Sequence, residues 1–199
     1  MSTPTSALDE RKAMRKSIRQ KTALPMLYLA MGSMVMLFGG LTSAYIVRKA
    51  EGNWGGFRLP AEFYFSTGIL LLSSVAMSWA YQKGKQGQTQ QSVYGLLSAL
   101  VLGLGFVGFQ FAGWRELVNQ NIYFAGKSAT AAGQYFYILT WMHFLHLAGG
   151  LITLLVTTVQ AYKGKYGPED YLGLKLANIF WHFLDLLWIY LLCFLAFAA

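Results

Sequence analysis

Charged residues are scarce in this 199-residue chain: they make up 12%, against roughly a quarter in an ordinary soluble domain. Apolar residues make up 55%, so the composition excludes an ordinary soluble protein. It also excludes intrinsic disorder, which requires low hydrophobicity and high charge. Cysteine is almost missing, because Cys193 stands alone. A disulfide within the chain and a cysteine-based zinc site are therefore both excluded.

What the sequence has instead is long apolar runs. Crossing a hydrocarbon layer of about 30 Å takes about 20 mostly apolar helical residues, and in lipid only helices or closed barrels satisfy the backbone. Five segments are long enough, and the alternating pattern of a barrel is absent. The predicted fold is an all-α integral membrane protein with a bundle of five transmembrane helices, at about 25–47, 61–81, 93–118, 134–162 and 175–198.

These segments divide the chain into a basic tail, 1–24, and a five-helix membrane domain, 25–199. The first apolar run is too long for a signal peptide and is followed by Arg48 and Lys49, which predicts a retained anchor. Eleven Lys and Arg lie in the tail and in the second and fourth connections, against five, including Lys127, on the opposite side. Because cytoplasmic loops retain cations, we expect a cytoplasmic N-terminus and an outside C-terminus.

The net charge of +8 is therefore interpreted as a topology signal that also contacts anionic lipid, and nucleic acid is not an expected partner. Gly103 to Gly108 spell G-x-G-x-x-G, but they lie inside an apolar helix with no preceding strand, so a dinucleotide site is not predicted. Small residues at spacings of four favour close helix packing instead. The predicted packing residues are Ala99, Gly103, Gly108 and Ala112.

Ionisable residues within lipid are costly and therefore informative. His143 and His146 lie on one face of the fourth segment, and His182 and Asp185 on one face of the fifth, flanked by Trp181 and Trp188. We interpret these six residues as a structural polar cluster that joins the last two helices. Haem ligation across two helices and a proton or metal path remain alternatives, although the first three segments supply no carboxylate at mid-depth.

Several segments resemble subunit III of haem-copper terminal oxidases, in its five-helix form. Residues 181–188, W-H-F-L-D-L-L-W, match that family's W-H-F-x-D-x-x-W signature. Residues 143–150 are similar to its H-G-L-H-x-x-x-G helix, and 66–74 to its N-T-x-x-L-L-x-S-S helix. Gln110 and Trp114 resemble its Q-x-x-E-[YW] stretch, and the resemblance covers about residues 25–198.

Three positions depart from the family pattern. Met34 stands near the position at which the seven-helix forms carry a buried Glu, so a carboxylate-based proton-buffering role is not implied here. Gly113 replaces the Glu of Q-x-x-E-[YW], and Phe144 replaces the Gly of H-G-L-H.

The resemblance implies a non-catalytic subunit without haem, copper or catalytic residues of its own. Such a subunit would stabilise the catalytic subunit I of a proton-pumping cytochrome c oxidase in a bacterial inner (plasma) membrane. Haem and copper would lie in partner subunits, subunit II and other oxidase subunits would be neighbours, a larger respiratory supercomplex is possible, and phospholipid would bind. The alternatives are subunit III of a quinol oxidase, an autonomous transporter and a haem-bearing membrane anchor; five helices do not divide into the two equal halves usual in transporters.

Overall fold

The computed structural model describes residues 4–52, 54–55, 58–126, 129–167 and 170–198, and within them the chain forms five α-helices. All five are long and apolar enough to cross a membrane, which confirms the predicted fold class. Residues 1–3, Lys127 and the side chains of most tail cations lie outside the described residues. The helices are α1 Pro4–Ala50, α2 Ala61–Lys85, α3 Thr89–Asn119, α4 Ala131–Tyr162 and α5 Leu172–Ala198.

Each helix extends beyond the apolar run that predicts it. α2 continues to Lys85 through glutamine and lysine, which are good helix formers and suit the membrane boundary. α1 extends furthest beyond its apolar run. It begins at Pro4 and contains Pro25 in its interior. Much of the predicted tail therefore belongs to the same helix as the first apolar run.

Helices α2 to α5 form a ring in which each packs against two others. α2 packs on α3 and α5, while α4 packs on α3 and α5, and α1 lies outside the ring against α4 and α5. The stripe that α1 buries consists of Phe38, Thr42 and Tyr45. The Thr42 hydroxyl lies 3.0 Å from the Tyr190 hydroxyl of α5. Most of the remaining apolar surface of α1 is exposed, as expected for a helix that faces lipid.

The closest packing is between α2 and α3, which are joined by a short turn in which Gly87 has φ +77°. Gly95 of α3 faces Ala80 of α2 so closely that a β-carbon there would lie 2.8 Å from the Ala80 Cβ. Two hydroxyls of the pair also donate across it, from Ser73 to the Ala99 carbonyl and from Ser92 to the Ala80 carbonyl, both at 2.9 Å. The α2–α3 hairpin is thus held by small residues and interhelical hydrogen bonds.

Gly95→Ala should lower the stability of the purified chain in mild detergent, because a new methyl group must displace backbone or ring atoms of α2. Overpacking of this kind costs about 1–3 kcal/mol. Gly108→Ala is the matched control: nothing lies within 4 Å of its position, so only the gain in helix propensity of about 1 kcal/mol remains. Thermal unfolding followed by circular dichroism measures both; equal midpoints would contradict the close approach.

Candidate functional site

The polar side chains of α5 face α2. On one side of α5, within two turns, lie Trp181, His182, Asp185 and Trp188. At 3.6 residues per turn, residues that are three, four or seven positions apart share one side of a helix. The facing side of α2 carries hydroxyl groups at similar spacing. These hydroxyls belong to Thr67, Ser73, Ser74 and Ser78.

Hydrogen bonds join the two rows. The indole N–H of Trp181 donates to the Ser73 hydroxyl at 3.2 Å, and that of Trp188 donates to the Thr67 hydroxyl at 2.9 Å. The His182 ring lies between two serines one turn apart: Nδ1 bonds with Ser74, and Nε2 with Ser78 at 2.9 Å. We call these seven residues, without Asp185, the α2–α5 seam.

The seam satisfies every side-chain nitrogen of its α5 members. A neutral imidazole has one N–H and one acceptor nitrogen, and a serine hydroxyl complements either. His182 is therefore fixed at both ends by side chains that carry no charge. Inside a membrane such bonds hold a helix pair together without placing an ion in hydrocarbon.

Asp185 is buried on the same side of α5, with 3% of its surface exposed. Neither carboxyl oxygen has a hydrogen-bond partner within the described ranges. Within the predicted polar cluster, Asp185 therefore makes no bond to an imidazole: the nearest histidine along the helix, His182, has both ring nitrogens engaged by α2.

The two histidines of α4 make no hydrogen bond to the seam within the described residues. His143 is 1% exposed, and its ring lies among Phe38, Phe106 and Trp188, with ring centres at 6.4, 6.5 and 5.2 Å. Its two nitrogens have no hydrogen-bond partner in the part of the chain that the structure describes. His143 is thus held by aromatic packing that joins α4 to α1, α3 and α5.

His146 bonds within its own helix, from Nδ1 to the Met142 carbonyl at 2.6 Å, and its ring contacts Phe38 at 5.6 Å. The predicted polar cluster that joins the last two helices is therefore corrected: within the described residues no hydrogen bond links His143 or His146 to α5, and the contact is the packing of the His143 ring on Trp188. The reason lies in packing: α4 meets α5 through Gly150, where a β-carbon would touch Leu184, while the polar row of α5 is turned towards α2.

The predicted packing residues divide into two pairs. Ala99 and Gly103 are buried, and a β-carbon on Gly103 would lie 2.9 Å from the Trp181 ring of α5. Gly108 and Ala112 are exposed instead, and nothing lies within 4 Å of the Gly108 position. Five residues separate Gly103 from Gly108, which rotates the second pair by about 140° around the helix. That pair makes no close helix contact among the described residues, and its role in helix packing stays a prediction.

The serines of α2 are not among the predicted site residues. Ser73 and Ser74 could have been recognised, because they belong to the segment that resembles N-T-x-x-L-L-x-S-S. Two further interhelical bonds involve residues of the other quoted motifs. Gln110 donates to Ser66 at 3.2 Å, and the Trp114 indole donates to Thr140 at 3.2 Å. The motif residues therefore link α2 to α3, α3 to α4, and α2 to α5.

No group of three or more His, Cys, Asp or Glu side chains with the arrangement of a metal site occurs among the residues described. The side chains of the seam, together with Gln110 and Trp114, form hydrogen bonds between helices. What this arrangement can do chemically is hold helices in register by neutral hydrogen bonds.

Replacing Ser74 and Ser78 together by alanine should strand both nitrogens of a half-buried ring. The expected cost is about 1–3 kcal/mol, measured as a lower unfolding midpoint of the purified chain. Ser98→Ala is the control, because that exposed hydroxyl bonds only to the Tyr94 carbonyl of its own helix. Adding His182→Leu to the double variant should restore part of the stability, since both sides of the interaction are then apolar. A double variant as stable as the control would show that the two hydrogen bonds of His182 contribute nothing to stability.

Comparison with known proteins identifies the family. The family model described as "Cytochrome c oxidase subunit III" matches residues 57–198. The chain is similar to "Cytochrome c oxidase subunit 3" of Marchantia polymorpha, with 32% identity over 131 residues, which cover 64% of this chain and 46% of that protein. The chain thus spans about half the length of this plant relative.

Two bacterial relatives match over more of their length. "Probable cytochrome c oxidase subunit 3" of Nocardia farcinica is 28% identical over 192 residues, which cover 94% of this chain and 92% of that protein. The protein of the same description from Mycobacterium bovis is 28% identical over 165 residues, 80% of this chain and 79% of that protein. The family model covers the whole of α2, α3, α4 and α5, and with them the whole seam. The chain belongs to the cytochrome c oxidase subunit III family.

Proposed function

We propose that the chain is a non-catalytic supporting subunit of a proton-pumping cytochrome c oxidase in a bacterial inner membrane. The observation that supports the proposal most directly is that side chains of the motif residues form hydrogen bonds between helices. The side chains of Trp181, His182 and Trp188 bond to α2, and those of Gln110 and Trp114 bond to neighbouring helices. A subunit that supports a catalytic neighbour needs a rigid bundle, and these bonds provide one.

Family membership supports the further parts of the proposal. Haem and copper would lie in partner subunits, above all the catalytic subunit I, with subunit II and other oxidase subunits as neighbours. Cytochrome c, rather than quinol, is favoured as electron donor because the relatives are described as cytochrome c oxidase subunits. The bacterial inner membrane is favoured by the Nocardia relative, which matches almost end to end.

Lipid binding belongs to the same proposal. α1 buries only a narrow stripe and exposes most of its apolar surface, and α3 and α4 expose large apolar side chains as well. Such surface is satisfied by acyl chains or by a membrane neighbour. The chain would then hold phospholipid on one side of the catalytic subunit.

The first test is assembly. A tagged chain expressed in its own host and purified in mild detergent should bring with it a membrane complex containing haem and copper in fixed ratio. Difference spectra and metal analysis measure this ratio, and a tagged, unrelated five-helix protein from the same membrane serves as control. Recovery of the chain free of any haem-copper complex would contradict the proposal.

The second test separates support from catalysis. An oxidase assembled without this chain should keep its haem and copper spectrum and its initial rate of oxygen reduction, but lose activity sooner over many turnovers. The reason is that the catalytic subunit would lose packing on one flank and open locally more often. Oxygen consumption recorded to exhaustion, with and without the chain, measures both quantities. Immediate and complete loss of activity in a spectrally normal complex would show that the chain supplies a step of the reaction.

A further inference from the structure

One side of α1 is exposed along most of the helix. The stripe that α1 buries, formed by Phe38, Thr42 and Tyr45, faces α4 and α5. Positions about half a turn away from this stripe face outward. In the membrane-spanning part they include Leu29 and Met36, which are 77 and 80% exposed. We call this side, opposite the buried stripe, the outer side of α1.

The outer side continues beyond the membrane. The first apolar run begins at about residue 25, but the helix begins at Pro4 and is continuous through Pro25. At 1.5 Å per residue, about 30 Å of helix therefore precede the apolar run. Met14 and Ile18 lie one turn apart on this projecting part, and they are 66 and 55% exposed. The projecting part thus presents an exposed apolar pair.

Cationic positions border the exposed pair, Met14 and Ile18. Positions three or four apart share one side of a helix, so Arg11 and Arg15 lie on the same side as the pair. Protein interfaces have an apolar core within a polar rim, and arginine is enriched in them. The projecting part of the outer side has this composition, which favours a protein partner.

The distance from the membrane and the charge of the tail both select the partner. Arg11 lies 14 positions before residue 25, about 20 Å along the helix axis. The headgroup layer is about 5–8 Å thick, and attraction between exposed charges is screened over about 8 Å at physiological ionic strength. Lipid headgroups therefore do not neutralise Arg11. Residues 9–21 hold six cations against Asp9 and Glu10, so the complementary surface is acidic and extends beyond the bilayer.

We propose that the outer side of α1 binds a transmembrane helix of a neighbouring subunit, and that this helix carries Asp or Glu in the turns that follow its apolar span. The apolar span packs on Leu29 and Met36, and the carboxylates lie at the level of Arg11 and Arg15. A helix suits the exposed length, which crosses the whole bilayer of about 30 Å. Carboxylates suit guanidinium groups, with which they form paired hydrogen bonds. The inference rests on the proposed function only in placing the chain within a complex of membrane subunits.

The first experiment identifies the partner by photocrosslinking in native membranes. Ile18→p-benzoylphenylalanine places a photoreactive ring on the outer side, and illumination should attach it to a peptide of another subunit in which Asp or Glu follows an apolar span. Mass spectrometry of the digested product identifies that peptide. Ser17→p-benzoylphenylalanine places the same ring at an exposed position about 100° around the helix and should give about fivefold less product. Products with lipid alone, or equal yields at the two positions, would overturn the proposal.

The second experiment reverses charge on one side of the helix. Arg11→Glu combined with Arg15→Glu should lower the Ile18 product about fivefold, because like charges would then meet at the interface. Lys12→Glu combined with Lys16→Glu is the matched control, since it changes the net charge equally at positions about 100° away. The control should give the wild-type yield, with all yields normalised to the amount of inserted chain. Equal losses in the two double variants would show that only the net charge of the tail matters, and would overturn the proposal.

A charge exchange in the partner completes the test. Replacing the Asp or Glu of the crosslinked peptide by Lys should restore the product of the Arg11→Glu, Arg15→Glu variant, and a yield that stays low would contradict the ionic contact. The outcome is separable from that of the proposed function. Recovery of the chain without haem and copper would contradict the proposed function, whereas the crosslinked peptide is identified by its own sequence in either case.

Discussion

A polar side chain inside a bilayer must find its hydrogen-bond partner within the protein, and the arrangement of this bundle depends on that requirement. α5 carries two indoles and an imidazole on one side, and their nitrogens are satisfied by four hydroxyls of α2. α2 packs closely on α3, and the seam joins α5 to α2, which closes the ring of four helices. With α5 in place, α4 and α1 pack against its two remaining sides.

The number and type of the helices follow from sequence alone, since membrane thickness sets the length of an apolar run. The ends of the helices do not follow from it. Polar residues such as Lys85 and Asn119 lie outside the apolar run and still continue the helix. The spacing of His182 and Asp185 correctly places them on one side of α5. Spacing within one helix says nothing of which neighbouring helix that side meets. The sequence therefore predicts α4 as the partner of the polar side of α5, whereas the structure places α2 there.

The serines of α2 show why such a partner is hard to predict. A serine or threonine in a helix can satisfy its hydroxyl on the carbonyl four residues earlier, as Ser98 and Thr158 do here. The same residue type at Ser74 and Ser78 bonds across to an imidazole instead. The residue type is identical in both situations, so the similarity of residues 66–74 to a family motif distinguishes Ser74 alone, and Ser78 lies outside that segment. The small residues of α3 pose the same problem, since the five-residue step from Gly103 to Gly108 moves the second pair away from the packed face.

The distribution of polar contacts separates two functions within one small bundle. Neutral hydrogen bonds of the seam and aromatic packing around His143 make the interior of the ring rigid. The outer surfaces of α1, α3 and α4 carry large apolar side chains, with arginine and tyrosine near the helix ends. A rigid interior keeps such a surface in one shape. The interior contacts therefore set the geometry that a lipid or a catalytic neighbour meets at the surface, although none of the seam residues needs to contact either one.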